Sequence, residues 1–125
     1  MIVSNGIDLV EVARIANSLK DHGEHFLRRV YTENERAYCL KKAKPEHSLA
    51  ARFAAKEAVM KCLGTGWTDG VGFTQIEVVR GPKGAPGIAL SGRAKEVALA
   101  RGILRWHLSL THTDDTAMAF AIAES

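Results

Sequence analysis

Of the fifteen residues from Leu49 to Leu63, eleven are apolar and five of those are alanine. A helix that is apolar almost all round must be packed on several sides, and small alanine side chains let its neighbours approach closely. The boundaries are equally legible. Lys44-Pro45-Glu46 suits a helix start, because proline is tolerated in the first turn, and Leu63-Gly64 supplies the usual glycine stop. The pattern predicts a central helix over residues 46–63 around which the rest of the chain must be built. After its first turn it carries four charges, Arg52, Lys56, Glu57 and Lys61, and these are the side chains able to reach into a cleft.

The flanking segments alternate between two periodicities. Ile2, Val3, Ile7, Leu9 and Val10 predict a strand over residues 1–10, and Val12, Ile15, Ala16 and Leu19 recur at helical spacing over 11–20. A turn near Asp21-His22-Gly23 precedes a short helix marked by Phe26, Leu27 and Val30. Thr32-Glu33-Asn34-Glu35 has the pattern of a capping box, so a helix should start there and run to about Lys42. Beyond the glycine-rich stretch 64–70, a strand carrying Phe73, Ile76, Val78 and Val79 is followed by a strand over 88–90 and a helix to Ala100. Residues 106–111 and 116–123 read as a terminal hairpin.

Both strands of that hairpin have distinct faces. Trp106, Leu108 and Leu110 alternate with His107, Ser109 and Thr111, while Met118, Phe120 and Ile122 alternate with Ala117, Ala119, Ala121 and Ala123. The last strand is thus apolar on both sides and requires cover on both. A helix of the same chain could supply one cover and a second copy of the chain the other. The fold class expected is α+β, an antiparallel sheet packed on a central helix, with residues 1–125 forming a single domain.

Seventeen Lys and Arg against fourteen Asp and Glu give a net charge of +3, mildly basic and dispersed along the chain. That favours phosphate-bearing ligands or acidic protein partners and argues against a nucleic-acid binder. Cys39 and Cys62 have no paired metal-ligand spacing and read as buried free thiols of a reducing compartment. No signal-peptide pattern opens the chain and no apolar run approaches a membrane span, so the expected location is the cytoplasm, with no membrane partner.

Chemistry enters with two isolated acids. Asp8 lies in the apolar segment Gly6-Ile7-Asp8-Leu9-Val10, and Glu57 lies in the central helix. Carboxylates in core-like segments need a partner, and two of them beside lysines suit a divalent cation holding a phosphate, magnesium foremost. The same residues also permit a blander arrangement, Asp8 in a turn and Glu57 paired with Lys61 one helical turn on. Among known motifs, a Walker-type phosphate loop and a dinucleotide-binding glycine pattern are both missing from the sequence. Leu63-Gly64-Thr65-Gly66 follows a helix, so it reads first as a cap and second as a phosphate contact. His107, Ser109 and His112 lack a nucleophile-elbow context and do not argue for covalent serine catalysis.

Three stretches in order resemble the holo-acyl-carrier-protein synthase family of small phosphopantetheinyl transferases. They are Gly6-Ile7-Asp8-Leu9-Val10-Glu11, the run Arg52-Phe53-Ala54-Ala55-Lys56-Glu57 continuing to Gly66, and His107-Leu108-Ser109-Leu110-Thr111-His112-Thr113. The resemblance implies transfer of the phosphopantetheine arm of coenzyme A to a serine of apo-acyl carrier protein in fatty acid biosynthesis, releasing adenosine bisphosphate. It implies that Asp8 and Glu57 ligate magnesium and that Lys61 stabilises or protonates the departing phosphate. Arg52 and His107 would hold the ribose phosphate, with the backbone of Gly64, Thr65 and Gly66 close to the pyrophosphate. Lys56 would be either a site residue or a structural pair. The family also forms homotrimers with coenzyme A at the subunit interface, and Arg14, Arg28 and Arg29 would steer the acidic carrier protein.

Two departures bear on this. The family's Gly-Lys-Pro loop reads Gly84-Ala85-Pro86 here, so a lysine contact is lost while Pro86 keeps its place among the coenzyme A-binding residues. The base for the partner serine is not specified either, Glu35 and a metal-held water both being open. A competing class is a non-catalytic module that uses the same pocket to bind coenzyme A, a nucleotide or an acidic protein.

Overall fold

The computed structural model describes residues 1–64 and 70–125. Strand β1 (Ile2–Glu11) leads into helix α1 (Val12–Val30), then α2 (Glu33–Cys39) and α3 (Pro45–Leu63). A 3-10 turn (Phe73–Gln75) precedes β2 (Ile76–Arg80), and a second (Pro82–Gly84) precedes β3 (Pro86–Leu90). Helix α4 (Gly92–Ala100) and strands β4 (Arg105–His112) and β5 (Thr116–Glu124) complete the chain.

β1, β5 and β4 form an antiparallel sheet in that order, and β2 and β3 form a separate antiparallel hairpin. The final strand is therefore the middle one. Its alanines Ala117, Ala119, Ala121 and Ala123 are all buried beneath α3, which also contacts α1, α2 and β2. The α+β class and the sheet on a central helix thus follow the sequence pattern. Thirteen of the nineteen α3 residues are buried. Leu49, Val59 and Ile76 are fully enclosed, each contributing about 1.5–3 kcal/mol by removal from water.

Local signals explain most element ends. Thr32 accepts from the Glu35 N–H at 3.2 Å while Glu35 accepts from the Thr32 N–H at 2.9 Å, a reciprocal capping box. Gly64 closes α3 in the left-handed region at φ 68°. The expected turn at 21–23 is a kink inside α1, where Gly23 departs from helical geometry at φ 48°, ψ −123°. Two expectations need correction. α2 stops at Cys39 and not near Lys42, and Phe73 belongs to a 3-10 turn, with the strand beginning at Ile76. Phe73 is apolar because its ring packs 5.2 Å from that of Phe53 on α3, a helix-facing role that alternation alone does not distinguish from a strand position.

The other side of the sheet is bare in the single chain. Ile7, Leu9 and Phe120 are 52%, 58% and 38% exposed, and the strand register sets Ile7 opposite Phe120 and Leu9 opposite Met118. Among the described residues no helix is long and apolar enough to cross a membrane.

Candidate active site

β1 and α3 touch at a glycine. A Cβ added to Gly6 would stand 2.2 Å from the carbonyl oxygen of Ala58 and 3.1 Å from the Lys61 Cβ, so the backbones meet only because no side chain intervenes. Asp8, two residues further and on the same face of β1, emerges alongside α3. There the Lys61 ammonium donates to the Ile7 carbonyl at 2.8 Å and lies 3.1 Å from Asp8 Oδ1. Lys61 therefore bridges the two elements, pairing with Asp8 across the gap.

Glu57 lies one helical turn before Lys61 and is half-buried. Burial raises its carboxyl above the ordinary range, the Asp8 charge raises it further, and Arg14 and Lys61 pull it back. Two carboxylates thus repel each other at the edge of a helix, beside two cations. Hard oxygen donors whose mutual repulsion is only partly offset fit a divalent cation such as magnesium. Among the described residues no group of three or more His, Cys, Asp or Glu side chains could enclose a metal, so a cation here would take its remaining ligands from substrate and water.

A second basic feature lies at the other end of α3. A cavity of about 360 Å³ is lined by Lys42, Lys44, His47, Arg52, Arg80 and His112, with Tyr38, Ser48, Ala51 and Leu110 completing the wall and no carboxylate among them. Arg52 is only 3% exposed. Its Nη1 donates to Ser48 Oγ at 3.1 Å, while its Nε has no partner, the one such buried side-chain atom among the described residues. An unsatisfied buried guanidinium N–H is costly, and a phosphate oxygen is the acceptor that geometry invites.

The structure divides the remaining expected residues. His107 does not share this cavity within the chain: it stands on the opposite sheet face, where its Nε2 lies 3.0 Å from Glu124 Oε1. His112 joins Arg52 instead. Pro86 is paired across the β2–β3 ladder with Arg80, whose side chain lines the cavity, without lining it itself. Gly64 caps α3 and approaches Arg101, which donates to the Cys62 carbonyl, and Thr65 and Gly66 lie outside the described residues.

Lys56 does not reach a cleft, contrary to its place among the four expected charges. It is fully buried and ion-paired at 2.6 Å with Glu35, itself 1% exposed, and it also donates to the Phe73 and Ile76 carbonyls. Burial pushes the Lys56 ammonium below its usual value, against the opposing pull of the Glu35 charge. Glu35 spends its oxygens on Lys56, the Thr32 N–H and the Val78 N–H at 2.8 Å. Such a carboxylate ties α2, α3 and β2 together.

With this geometry in place, comparison with known proteins is decisive. The family model of the 4'-phosphopantetheinyl transferase superfamily matches residues 4–121. The chain belongs to that superfamily. A relative from Koribacter versatilis named holo-[acyl-carrier-protein] synthase is 48% identical over 124 residues, 99% of each chain. One of the same name from Gloeobacter violaceus is 50% identical over 116 residues, covering 91% of this chain and 86% of its own. The crystal structure of holo-[acyl-carrier-protein] synthase from Neisseria meningitidis superposes with a TM-score of 0.91 at 35% identity over 100% of both chains. That of the Helicobacter pylori protein in complex with coenzyme A gives 0.84 at 33% identity, over 96% of this chain and 99% of that one.

For this superfamily member, sequence reasoning missed Arg14 as a neighbour of Glu57 and His112 as a neighbour of Arg52. A signal for His112 was present. Strand alternation puts it in step with the inward-facing Leu108 and Leu110 and out of step with His107.

Proposed function

We propose that this chain is a magnesium-dependent holo-acyl-carrier-protein synthase. It transfers the phosphopantetheine arm of coenzyme A to a serine of apo-acyl carrier protein, in the cytoplasm and in the service of fatty acid biosynthesis. The observation that carries the reading is the meeting of Asp8 on β1 with Glu57 and Lys61 on α3, in a chain of this superfamily. The whole chain acts as the single transferase domain. Its bare sheet face, centred on Ile7, Leu9 and Phe120, supports assembly as a homotrimer.

In the reaction the serine oxygen attacks the β-phosphorus of the coenzyme A pyrophosphate. A new P–O bond forms to serine, the bond to the 5'-phosphate of adenosine 3',5'-bisphosphate breaks, and the seryl proton leaves to a base. Asp8 and Glu57 would hold magnesium, which when bound supplies charge neutralisation at the pyrophosphate. Lys61 lies beside the same carboxylates, where its ammonium can hydrogen-bond the departing phosphate or give it a proton. Arg52 and His112 take the ribose phosphate in the basic cavity, with Arg52 Nε as an available donor. His107 would contribute only from the outer face, across a subunit boundary. Arg14, exposed at the start of α1, is set to draw an acidic carrier towards Glu57.

The test is the intact mass of an apo-acyl carrier protein after incubation with this protein, coenzyme A and magnesium, beside a chelator-treated control. A phosphopantetheine-sized gain that the chelator abolishes is expected. Coenzyme A binding with no mass gain on any carrier would refute transfer.

A further inference from the structure

The basic cavity contains a residue whose role neither the sequence pattern nor the family match assigns. Tyr38 projects from the last turn of α2, and three cations gather on its ring. The Arg52 guanidinium carbon lies 4.3 Å from the ring centroid, Lys42 Nζ 4.6 Å and the Arg80 guanidinium carbon 5.3 Å. These come from three different segments, α3, the α2–α3 connection and the end of β2. The wall of this cavity includes no carboxylate. Glu35 and Glu77 lie on the far side of Tyr38, Arg52 and Arg80, in a neighbouring cavity, where Glu35 is paired with Lys56 and Glu77 accepts from Thr32. Like charges brought together in this way repel unless something accepts them, and the electron-rich face of an aromatic ring does so without consuming an N–H donor.

That last point matters for Arg52. A carboxylate partner would bind the guanidinium through its N–H groups and compete directly with phosphate for them. A ring leaves the donors free, and Arg52 Nε is indeed without a hydrogen-bond partner while the side chain is almost wholly buried. We propose that Tyr38 is a positioning residue of the phosphate cavity, holding Arg52, Lys42 and Arg80 together while leaving Arg52 Nε available to the phosphate on the ribose of coenzyme A. The role rests on the proposed placement of that phosphate beside Arg52. The phenol responds to the same field: burial raises its pKa, and the Lys42 hydrogen bond with the charges of Arg80, Lys42 and Arg52 outweighs this and lowers it.

The experiment compares the affinities of coenzyme A and dephospho-coenzyme A, which differ only in the ribose phosphate, by isothermal titration calorimetry. Wild type, Tyr38→Leu and Tyr38→Phe are measured on the assembled protein. Wild type should prefer coenzyme A. Tyr38→Leu should weaken coenzyme A by about tenfold and leave dephospho-coenzyme A nearly unchanged, as the loss of a partly desolvated cation–π cluster implies. Tyr38→Phe, which keeps the ring face, should restore most of the preference. Equal affinities in wild type would overturn the placement of the phosphate. A preference kept in Tyr38→Leu would leave that placement standing and overturn the role of Tyr38, as would equal loss for both ligands. Should the leucine variant unfold, Tyr38→Met, unbranched and without a ring, takes its place and carries the same expectation.

Discussion

Gly6 of β1 lies directly against the carbonyl oxygen of Ala58 on α3, with room for a hydrogen and no more. This contact fixes the separation of the strand bearing Asp8 from the helix bearing Glu57 and Lys61. A Gly6→Ala variant must push the two apart, because the atom it strikes is backbone and cannot swing aside. The expected cost is about 1–3 kcal/mol in urea denaturation, together with a loss of transfer larger than the stability loss explains. Wild-type stability and turnover would show that the contact is slack.

Asp8→Asn and Glu57→Gln keep size and shape while removing one charge each. Either should lower kcat/KM by at least about a hundredfold, with far-ultraviolet circular dichroism unchanged. Lys61→Ala should reduce turnover more than coenzyme A affinity, and the reverse pattern would make it a binding residue only.

The raised carboxyl of Glu57 makes a prediction about stability. Its folded-state pKa lies above the unfolded one, so its contribution is complete below the unfolded carboxylate value and is lost as pH climbs through the folded value. In chelator at neutral pH, Glu57→Gln should therefore melt at a higher temperature than wild type. Added magnesium should raise the melting temperature of wild type more than that of the variant, and the wild-type gain should shrink on acidification. A magnesium effect of equal size in both proteins would remove Glu57 from the metal site.

The Glu35–Lys56 pair is enclosed, and breaking one side strands the other charge. Glu35→Leu or Lys56→Met alone should cost about 3–5 kcal/mol, whereas the double variant should recover much of that loss. Chemical denaturation of the four proteins closes the cycle, and simple additivity would show that the two groups do not depend on each other.

Ile7 and Phe120 face each other across the bare side of the sheet. For the proposed homotrimer, Phe120→Glu should reduce the mass measured by light scattering from three chains towards one, with the secondary structure retained. An unchanged mass would place the assembly contact elsewhere.

How much of this was legible in the chain varies with the kind of signal. The central helix, the capping box at Thr32 and the closing hairpin were readable because each rests on local spacing or chemistry. The approach of Asp8 to Glu57 was suggested by the oddity of two acids in apolar segments, but the contact depends on Gly6, whose packing duty no local pattern announces. Lys56 and Glu57 are adjacent in sequence and looked alike. The helix turns them through about 100°, enough to enclose one and leave the other at the cleft. The cluster on Tyr38 joins Lys42 and Arg52 to Arg80 at the far end of β2, so only folding brings the third charge to the ring.

The strand order has one more consequence, for synthesis. Asp8 lies on a strand whose one ladder partner among the described residues is β5, so during translation the β1 edge waits unpaired until residues 116–124 have left the ribosome. The nascent chain therefore carries an adhesive edge while every element between β1 and β5 is made, and the sheet that backs the Asp8 strand closes only after α3 is complete.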